Sequence, residues 1–267
     1  MAQACEDPLS VAAALALEAR GLVKSFGGVR AVDDVSFGVR AGSITAIIGP
    51  NGAGKTTLFN LLTNLVSPDA GGALLFGRSL AGVEPSRIAR QGMVRTFQTA
   101  RVLPGTTAIE NVLVGAHRRI RCAPWRQALR FGAASGEEAV LRAEAAALLG
   151  ALGLADRADH PATELPVGSQ KLVELARALM AVPRVLLLDE PAAGLNDGEA
   201  AQLAQTMRDI REAGITLVVV EHNMSLVMGV ADEVVVLDLG KRIANGPPAK
   251  IQADERVIDA YLGKVIA

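Results

Sequence analysis

The chain has 267 residues, half of them hydrophobic, with 27 basic against 28 acidic side chains and a formal net charge of −1. That is ample for a packed core, as one large domain or two lobes, and the near-neutral balance lacks the basic bias of a nucleic-acid partner, so no nucleic acid is expected. Cys5 and Cys122 are too few for a disulfide framework and have no metal-ligand spacing, and no apolar run approaches the roughly 20 residues that span a bilayer. Glu6 and Asp7 precede the apolar stretch 11–17, where a secretory leader would carry positive charge. The chain is therefore read as soluble and cytoplasmic, its two thiols incidental in a reducing compartment.

Residues 1–16 are Ala-rich without a pairing signal and read as a loose extension. Stretches 17–26 and 32–40 predict two strands joined by the Gly27-Gly28 turn. Next comes the apolar run Ile44-Thr45-Ala46-Ile47-Ile48, then Gly49-Pro50-Asn51-Gly52-Ala53-Gly54-Lys55-Thr56-Thr57, then apolar-periodic Leu58, Phe59, Leu61, Leu62 and Leu65. Strand, glycine-rich turn and helix in that order fit the phosphate-loop pattern G-x-x-x-x-G-K-[ST]. Consecutive N–H groups at a helix start point into one concavity, and the helix dipole adds partial positive charge there. Gly52 and Gly54 let the main chain wrap phosphates that a Cβ would keep away. Lys55 is placed to reach the β- and γ-phosphates, and the Thr56 hydroxyl to sit on Mg²⁺.

A short strand over 73–77, a helix over 85–91 and a strand over 93–98 follow. From 100 to 165 the chain changes character, with helices predicted over 107–117 and 137–152. The irregular stretch between them holds Pro124 and Trp125 with Arg118, Arg119, Arg121, Arg126 and Arg130. It reads as a solvated charged segment, the alternative being contact with anionic headgroups. Helices over 170–181 and 199–213 then alternate with strands Val185–Asp189 and Thr216–Val220, whose unbroken apolar runs suit a parallel sheet covered on both faces. A hairpin of 234–239 and 242–244 around Gly240-Lys241 and a helix over 254–262 close the chain. The whole is an α/β core interrupted by a helical insert.

The strand Val185-Leu186-Leu187-Leu188-Asp189-Glu190 ends in two carboxylates, and sites in parallel α/β sheets gather at the C-terminal ends of strands. Asp189 there can hold Mg²⁺, directly or through water, while Glu190 can orient or deprotonate an attacking water.

Just upstream, Leu165-Pro166-Val167-Gly168-Ser169-Gln170-Lys171 runs into Leu172-Val173-Glu174-Leu175-Ala176-Arg177-Ala178-Leu179. Here the chain resembles the nucleotide-binding subunits of ABC transporters, which open a helix with an LSGGQ-like signature ahead of the strand that ends in the acidic pair. In that family the helix tip holds the γ-phosphate bound by the opposite subunit, so ATP is sandwiched in a head-to-tail dimer. The resemblance thus adds Gly168, Ser169 and Gln170 to the nucleotide-binding residues Gly49, Pro50, Asn51, Gly52, Ala53, Gly54, Lys55, Thr56 and Thr57. Pro166 stands where the family usually has Ser, and Ser169 where it has its first Gln, which leaves Gly168 and the neighbouring backbone amides to bind. Gln98 matches the glutamine that meets Mg²⁺ and water and senses the membrane partner. His222 matches the histidine that contacts the γ-phosphate. Ala193-Gly194-Leu195-Asn196 matches the D-loop, with Asn196 in place of the usual Asp, and Phe26 sits where an aromatic stacks on adenine.

The resemblance covers about 17–263 and implies a P-loop NTPase of the ABC ATPase fold. Residues 17–98 and 166–246 would form a RecA-like core with an antiparallel β-subdomain, 99–165 a helical subdomain and 247–267 a C-terminal tail. It implies ATP hydrolysis with ATP and Mg²⁺ as cofactors; Glu190, His222, Gln98 and Lys55 would be catalytic and Thr56, Gln98 and Asp189 would hold the metal. The partners implied are transmembrane permease subunits, a second ATPase subunit as homo- or heterodimer and, indirectly, a periplasmic binding protein, at the cytoplasmic face of a bacterial inner membrane.

Within the family, Val94-Arg95-Thr96-Phe97-Gln98, Thr107-Ala108-Ile109-Glu110-Asn111-Val112-Leu113-Val114, Pro191-Ala192-Ala193-Gly194-Leu195-Asn196, Val220-Glu221-His222-Asn223-Met224-Ser225-Leu226-Val227-Met228 and Val257-Ile258-Asp259-Ala260-Tyr261-Leu262-Gly263 look like the branched-chain amino-acid importers, specifically their larger, G-type ATPase subunit. Relatives serving urea, amides, aromatic acids or lipopolysaccharide export, and the soluble ABC ATPases of iron–sulfur assembly, remain the alternatives.

Overall fold

The computed structural model describes residues 14–96, 101–117, 119 and 132–262, with residues 132–135 and 262 described by their backbone alone. Strands β1 (Leu15–Phe26) and β2 (Val29–Arg40) form the first hairpin. β4 (Ala70–Leu75) pairs on the other side of β1 and β5 (Arg78–Ser79) edges the sheet, giving the antiparallel order β2-β1-β4-β5. β1 begins two residues earlier than the sequence suggests. Leu15 pairs with Arg40 and Ala16 is wholly buried, so the extension is shorter than 1–16. A small alanine carries no strand signal of its own; pairing across the sheet decides its state.

The second sheet has the order β10-β9-β3-β8-β7-β6. It comprises β3 (Ile44–Ile48), β6 (Met93–Arg95), β7 (Val185–Asp189), β8 (Thr216–Val220), β9 (Glu233–Asp238) and β10 (Lys241–Gly246). Every neighbouring pair is parallel except β9 with β10. All five residues of β3, β7 and β8 are buried, as a sheet covered on both faces requires. In β7 successive residues enter opposite cores: Val185 and Leu187 join the cluster with β1, β2 and α1 (Lys55–Leu62), while Leu186 and Leu188 join the cluster on the other face.

That other face is the helical one. It carries α3 (Ala108–Val114), α4 (Gly132–Ala151) and α5 (Val167–Met180), which pack on one another, and α6 (Asp197–Glu212). α2 (Pro85–Arg90) lies against β6. Gln98 and Phe97, and Arg118, Arg121, Arg126, Arg130 and Trp125, lie outside the described residues, as does most of the extension. Arg119 is described, and its guanidinium forks onto both carboxylate oxygens of Glu144 on α4.

Two helices and the β5 edge have no counterpart in the sequence reading: α7 (Met224–Val230) and α8 (Pro248–Gln252). At seven and five residues they are too short for the 3.6-residue period to register. α9 (Glu255–Leu262) follows, and the region 247–262 is more than a tail. Ile251 and Val257 share a buried cluster with Ala46, Ile48, Val234 and Val236 of β3 and β9.

Candidate nucleotide site

β3 sits between β8 and β9, so the turn that leaves its C-terminal end opens in the middle of the sheet. The first residue of that turn must be glycine. A Cβ on Gly49 would lie 2.1 Å from the carbonyl oxygen of Leu237. Gly54, at φ 99°, closes the turn just as tightly, since a Cβ there would lie 2.3 Å from the Ala31 carbonyl oxygen. Gly54 is also the N-cap of α1, without a side-chain cap and with no acidic residue in the first turn. The leading N–H groups of α1 are thus kept for an outside acceptor, which is the physical requirement of an anion site. Lys55 is buried and folds back over the loop, its Nζ donating to the carbonyls of Gly49 at 2.7 Å and Pro50 at 3.0 Å. A phosphate oxygen accepts more strongly than either neutral carbonyl, because the bond becomes charge-assisted on both sides.

A cleft of about 300 Å³ lies above this loop, lined by residues 51–57 together with Ala31, Glu190 and His222. Glu190 follows β7 and His222 comes just after β8, its parallel neighbour in the sheet, so sheet pairing sets the two side by side. The His222 Nε2 stands 2.6 Å from Glu190 Oε1. Glu190 has φ 48°, an uncommon left-handed conformation for a residue with a Cβ. Its N–H donates to the Val220 carbonyl at 2.9 Å, and its own carbonyl accepts from Lys171 Nζ at 2.7 Å.

Asp189 is 2 % exposed. Its Oδ2 accepts from the Arg95 guanidinium at 2.8 Å, while Oδ1 is buried and has no hydrogen-bond partner among the described residues. An orphaned carboxylate oxygen calls for a cation or water; Asp189 is not among the residues that line the cleft, whereas Thr56 is exposed there. These oxygens suit a hard cation such as Mg²⁺. No cluster of three or more His, Cys, Asp or Glu that could hold a metal ion occurs among the described residues.

Three comparisons bear on this arrangement. The family model described as "ABC transporter" matches residues 32–193, more than half of the chain, including the whole of the phosphate loop, Asp189 and Glu190. The chain belongs to the ABC transporter ATP-binding cassette family. A second model, "Branched-chain amino acid ATP-binding cassette transporter", matches residues 241–267 of this cassette. The cassette is 40 % identical over 249 residues to the high-affinity branched-chain amino acid transport ATP-binding protein LivG of Salmonella typhimurium, covering 93 % of this chain and 98 % of the relative. It is 40 % identical over the same length to BraF of Pseudomonas aeruginosa, a protein of the same description, with the same coverage. Among solved structures, the ADP conformation of an ABC-transporter cassette superposes with a TM-score of 0.80 at 34 % identity, covering 93 % of this chain and 99 % of that one. A nucleotide-free cassette superposes with a TM-score of 0.79 at 33 % identity over 92 % and 98 %. The chain therefore has the P-loop ABC ATPase fold, and it is an ATPase subunit that binds nucleotide.

Gly168, Ser169, Gln170 and Phe26 stand apart from the cleft of their own cassette. Gly168 and Ser169 are buried at the start of α5, and neither they nor Gln170 lines the cleft. A Cβ on Gly168 would lie 2.5 Å from Leu195 Cδ2, so this glycine admits the D-loop leucine. The Gln170 amide turns back to the Leu165 carbonyl at 2.8 Å, and no side chain caps the helix tip, whose N-cap is Pro166. Phe26 is half exposed at the end of β1, with Lys24 Nζ 5.5 Å from its ring centre, so it is not the core residue a strand Phe often is. Asn196 is the N-cap of α6, its side chain accepting from Glu199 N–H while Glu199 reaches back to the Asn196 N–H.

Three charged residues beside these groups, Arg95, Lys171 and Glu221, stand in the sequence only as letters of a motif. The Glu221 signal was a carboxylate directly after an all-apolar strand, which is costly unless main-chain donors receive it.

Proposed function

We propose that this chain is the ATP-hydrolysing subunit of an importer for branched-chain or related amino acids, working in a pair of ATPase subunits beneath transmembrane permease partners. The observation that carries the catalytic part is the convergence of the phosphate loop, Glu190 and His222 on one cleft. The substrate class rests on the relatives' names and on the C-terminal match.

In this reading residues 49–57 cradle the triphosphate of ATP and Lys55 exchanges its loop carbonyls for β- and γ-phosphate oxygens, while Phe26 stacks on the adenine. Thr56, Asp189 and Gln98 would hold Mg²⁺, which when bound neutralises charge on the transferring phosphoryl group. Glu190 orients the attacking water and accepts its proton, and His222, fixed against Glu190, meets the γ-phosphate. The α5 tip of the second subunit, through Gly168, Ser169, Gln170 and the neighbouring amides, closes the site from the other side. Residues 99–165, as a helical subdomain on the 17–98 and 166–246 core, and Gln98 carry closure to the membrane partner. Closure follows from tighter binding of ATP to the closed pair than to the open one.

No described helix is long and apolar enough to cross a membrane. The cassette would sit peripherally at the cytoplasmic face of the inner membrane, driving a permease that takes amino acid from a periplasmic binding protein. The test is radiolabelled leucine uptake in a strain lacking this gene. Wild type should restore uptake and Lys55→Ala should not. Unchanged leucine uptake in the deletion strain, with loss of urea or aromatic-acid uptake instead, would reassign the substrate class.

A further inference from the structure

Beside His222 lies a buried carboxylate that the hydrolytic scheme does not use. Glu221 is 3 % exposed and follows β8, one residue before His222. Its Oε1 accepts from the Ala192 N–H at 2.7 Å, and its Oε2 from the N–H groups of His222 at 2.9 Å and Asn223 at 3.2 Å. Because Pro191 has no N–H, the Ala192 amide is the first main-chain donor after Glu190. One carboxylate thus ties the turn that leaves β7 to the segment that leaves β8. We propose that Glu221 is a positioning residue for hydrolysis, holding the Glu190 turn and the His222 backbone at the separation in which their side chains meet.

A second contact serves the same end. Lys171 Nζ, from the first turns of α5, donates to the Glu190 carbonyl at 2.7 Å, and the Ala193 N–H donates to that carbonyl at 3.2 Å. Burial pushes the Lys171 ammonium below the ordinary lysine range, while Glu221, followed by Glu190, Glu174 and Asp189, draws it back up. Glu190 needs this bracing because its left-handed φ of 48° is not a conformation its own backbone prefers. Val220 on its N–H, Lys171 on its carbonyl and His222 on its carboxylate hold it from outside its own turn. Glu221 reaches the same turn through Ala192. Lys171 also lies on the helix whose tip is proposed to face the second nucleotide, so a shift of α5 is felt at Glu190 through one hydrogen bond.

The inference rests on the assignment of Glu190 as the group that activates water, so Glu190→Gln is run beside it. Steady-state ATP hydrolysis and equilibrium ATP binding are measured on the purified full chain carrying Glu221→Gln, Lys171→Met or Lys171→Arg. Glutamine keeps the size but places an NH₂ donor against an N–H, so Glu221→Gln should lower kcat at least tenfold. KM and Kd for ATP should stay within twofold, since the phosphate loop is untouched. Lys171→Met should show the same kcat-only loss, and Lys171→Arg should recover most of it. Should Glu221→Gln fail to fold, the less buried Lys171 pair carries the test alone. A kcat within twofold of wild type, or a loss of kcat matched by an equal loss of ATP affinity, overturns the proposal. A wild-type rate in Glu190→Gln would remove the base assignment itself, whereas a silent Glu221→Gln beside an inactive Glu190→Gln would remove only the brace.

Discussion

Arg95 shows how much a single side chain can carry at this site. Its Nη2 meets Asp189, its Nη1 meets Asn60 Oδ1 at 2.7 Å and the Thr63 hydroxyl at 3.4 Å, and its guanidinium lies over the Phe59 ring, 5.3 Å from the centre. The pair is 7 % and 2 % exposed, so neither charge has water to fall back on. Buried pairs of this kind add little over a well-packed apolar pair, but losing one partner strands the other. Arg95→Met should therefore destabilise the fold by about 3 to 5 kcal/mol, read as a lower urea midpoint by circular dichroism. A midpoint unchanged from wild type would show that Asp189 finds another cation or sheds its charge. In the sequence Arg95 is one polar letter in a short strand, and nothing local says that its partners lie on α1 and at the end of β7. By contrast Lys55, Thr56, Asp189 and Glu190 were legible, because their chemistry is written in contiguous motifs with the strand and helix beside them.

Among elements, α6 illustrates what a departure from a family pattern can mean. Asn196 is among the best N-cap residues, and with Glu199 it satisfies two first-turn donors reciprocally. Asn196→Ala should cost about 1 kcal/mol of stability, measurable as a shift in the denaturation midpoint, and Asn196→Asp should cost far less. If both variants were neutral, the cap would be dispensable because packing of Leu203, Met207 and Ile210 already fixes the helix. The long elements were placed from the sequence to within a few residues, since amphipathic or unbroken apolar runs average over local noise. The misses were short or depended on partners: α7 and α8 have too few turns to show a period, and Ala16 is drawn into β1 by its neighbours.

Taken as a whole, the molecule is proposed to present one half of a nucleotide site in its cleft and the other half at the tip of α5. The cleft is lined by the phosphate loop, Glu190 and His222, while Gly168, Ser169 and Gln170 open α5 outside it. A second copy, or a related ATPase subunit, supplies the missing half if ATP is to be enclosed. Glu190→Gln, which keeps the phosphate loop but removes the base, should accordingly accumulate as an ATP-bound dimer, seen by size-exclusion chromatography with light scattering. The same variant without ATP, and Lys55→Ala with ATP, should stay monomeric. A monomer under all three conditions would remove the sandwich from the mechanism of the isolated chain and leave pairing to the permease or to a different partner subunit.

By itself the sequence determined the α/β class, the phosphate loop, the carboxylates at the end of β7 and the family, because each depends on neighbours along the chain. Only the tertiary structure decided that Arg95 holds Asp189, that Lys171 grips the Glu190 carbonyl and that Glu221 joins two strand ends. Those contacts run between segments 19 to 94 residues apart, brought together by strand order in a sheet whose register no local stretch encodes.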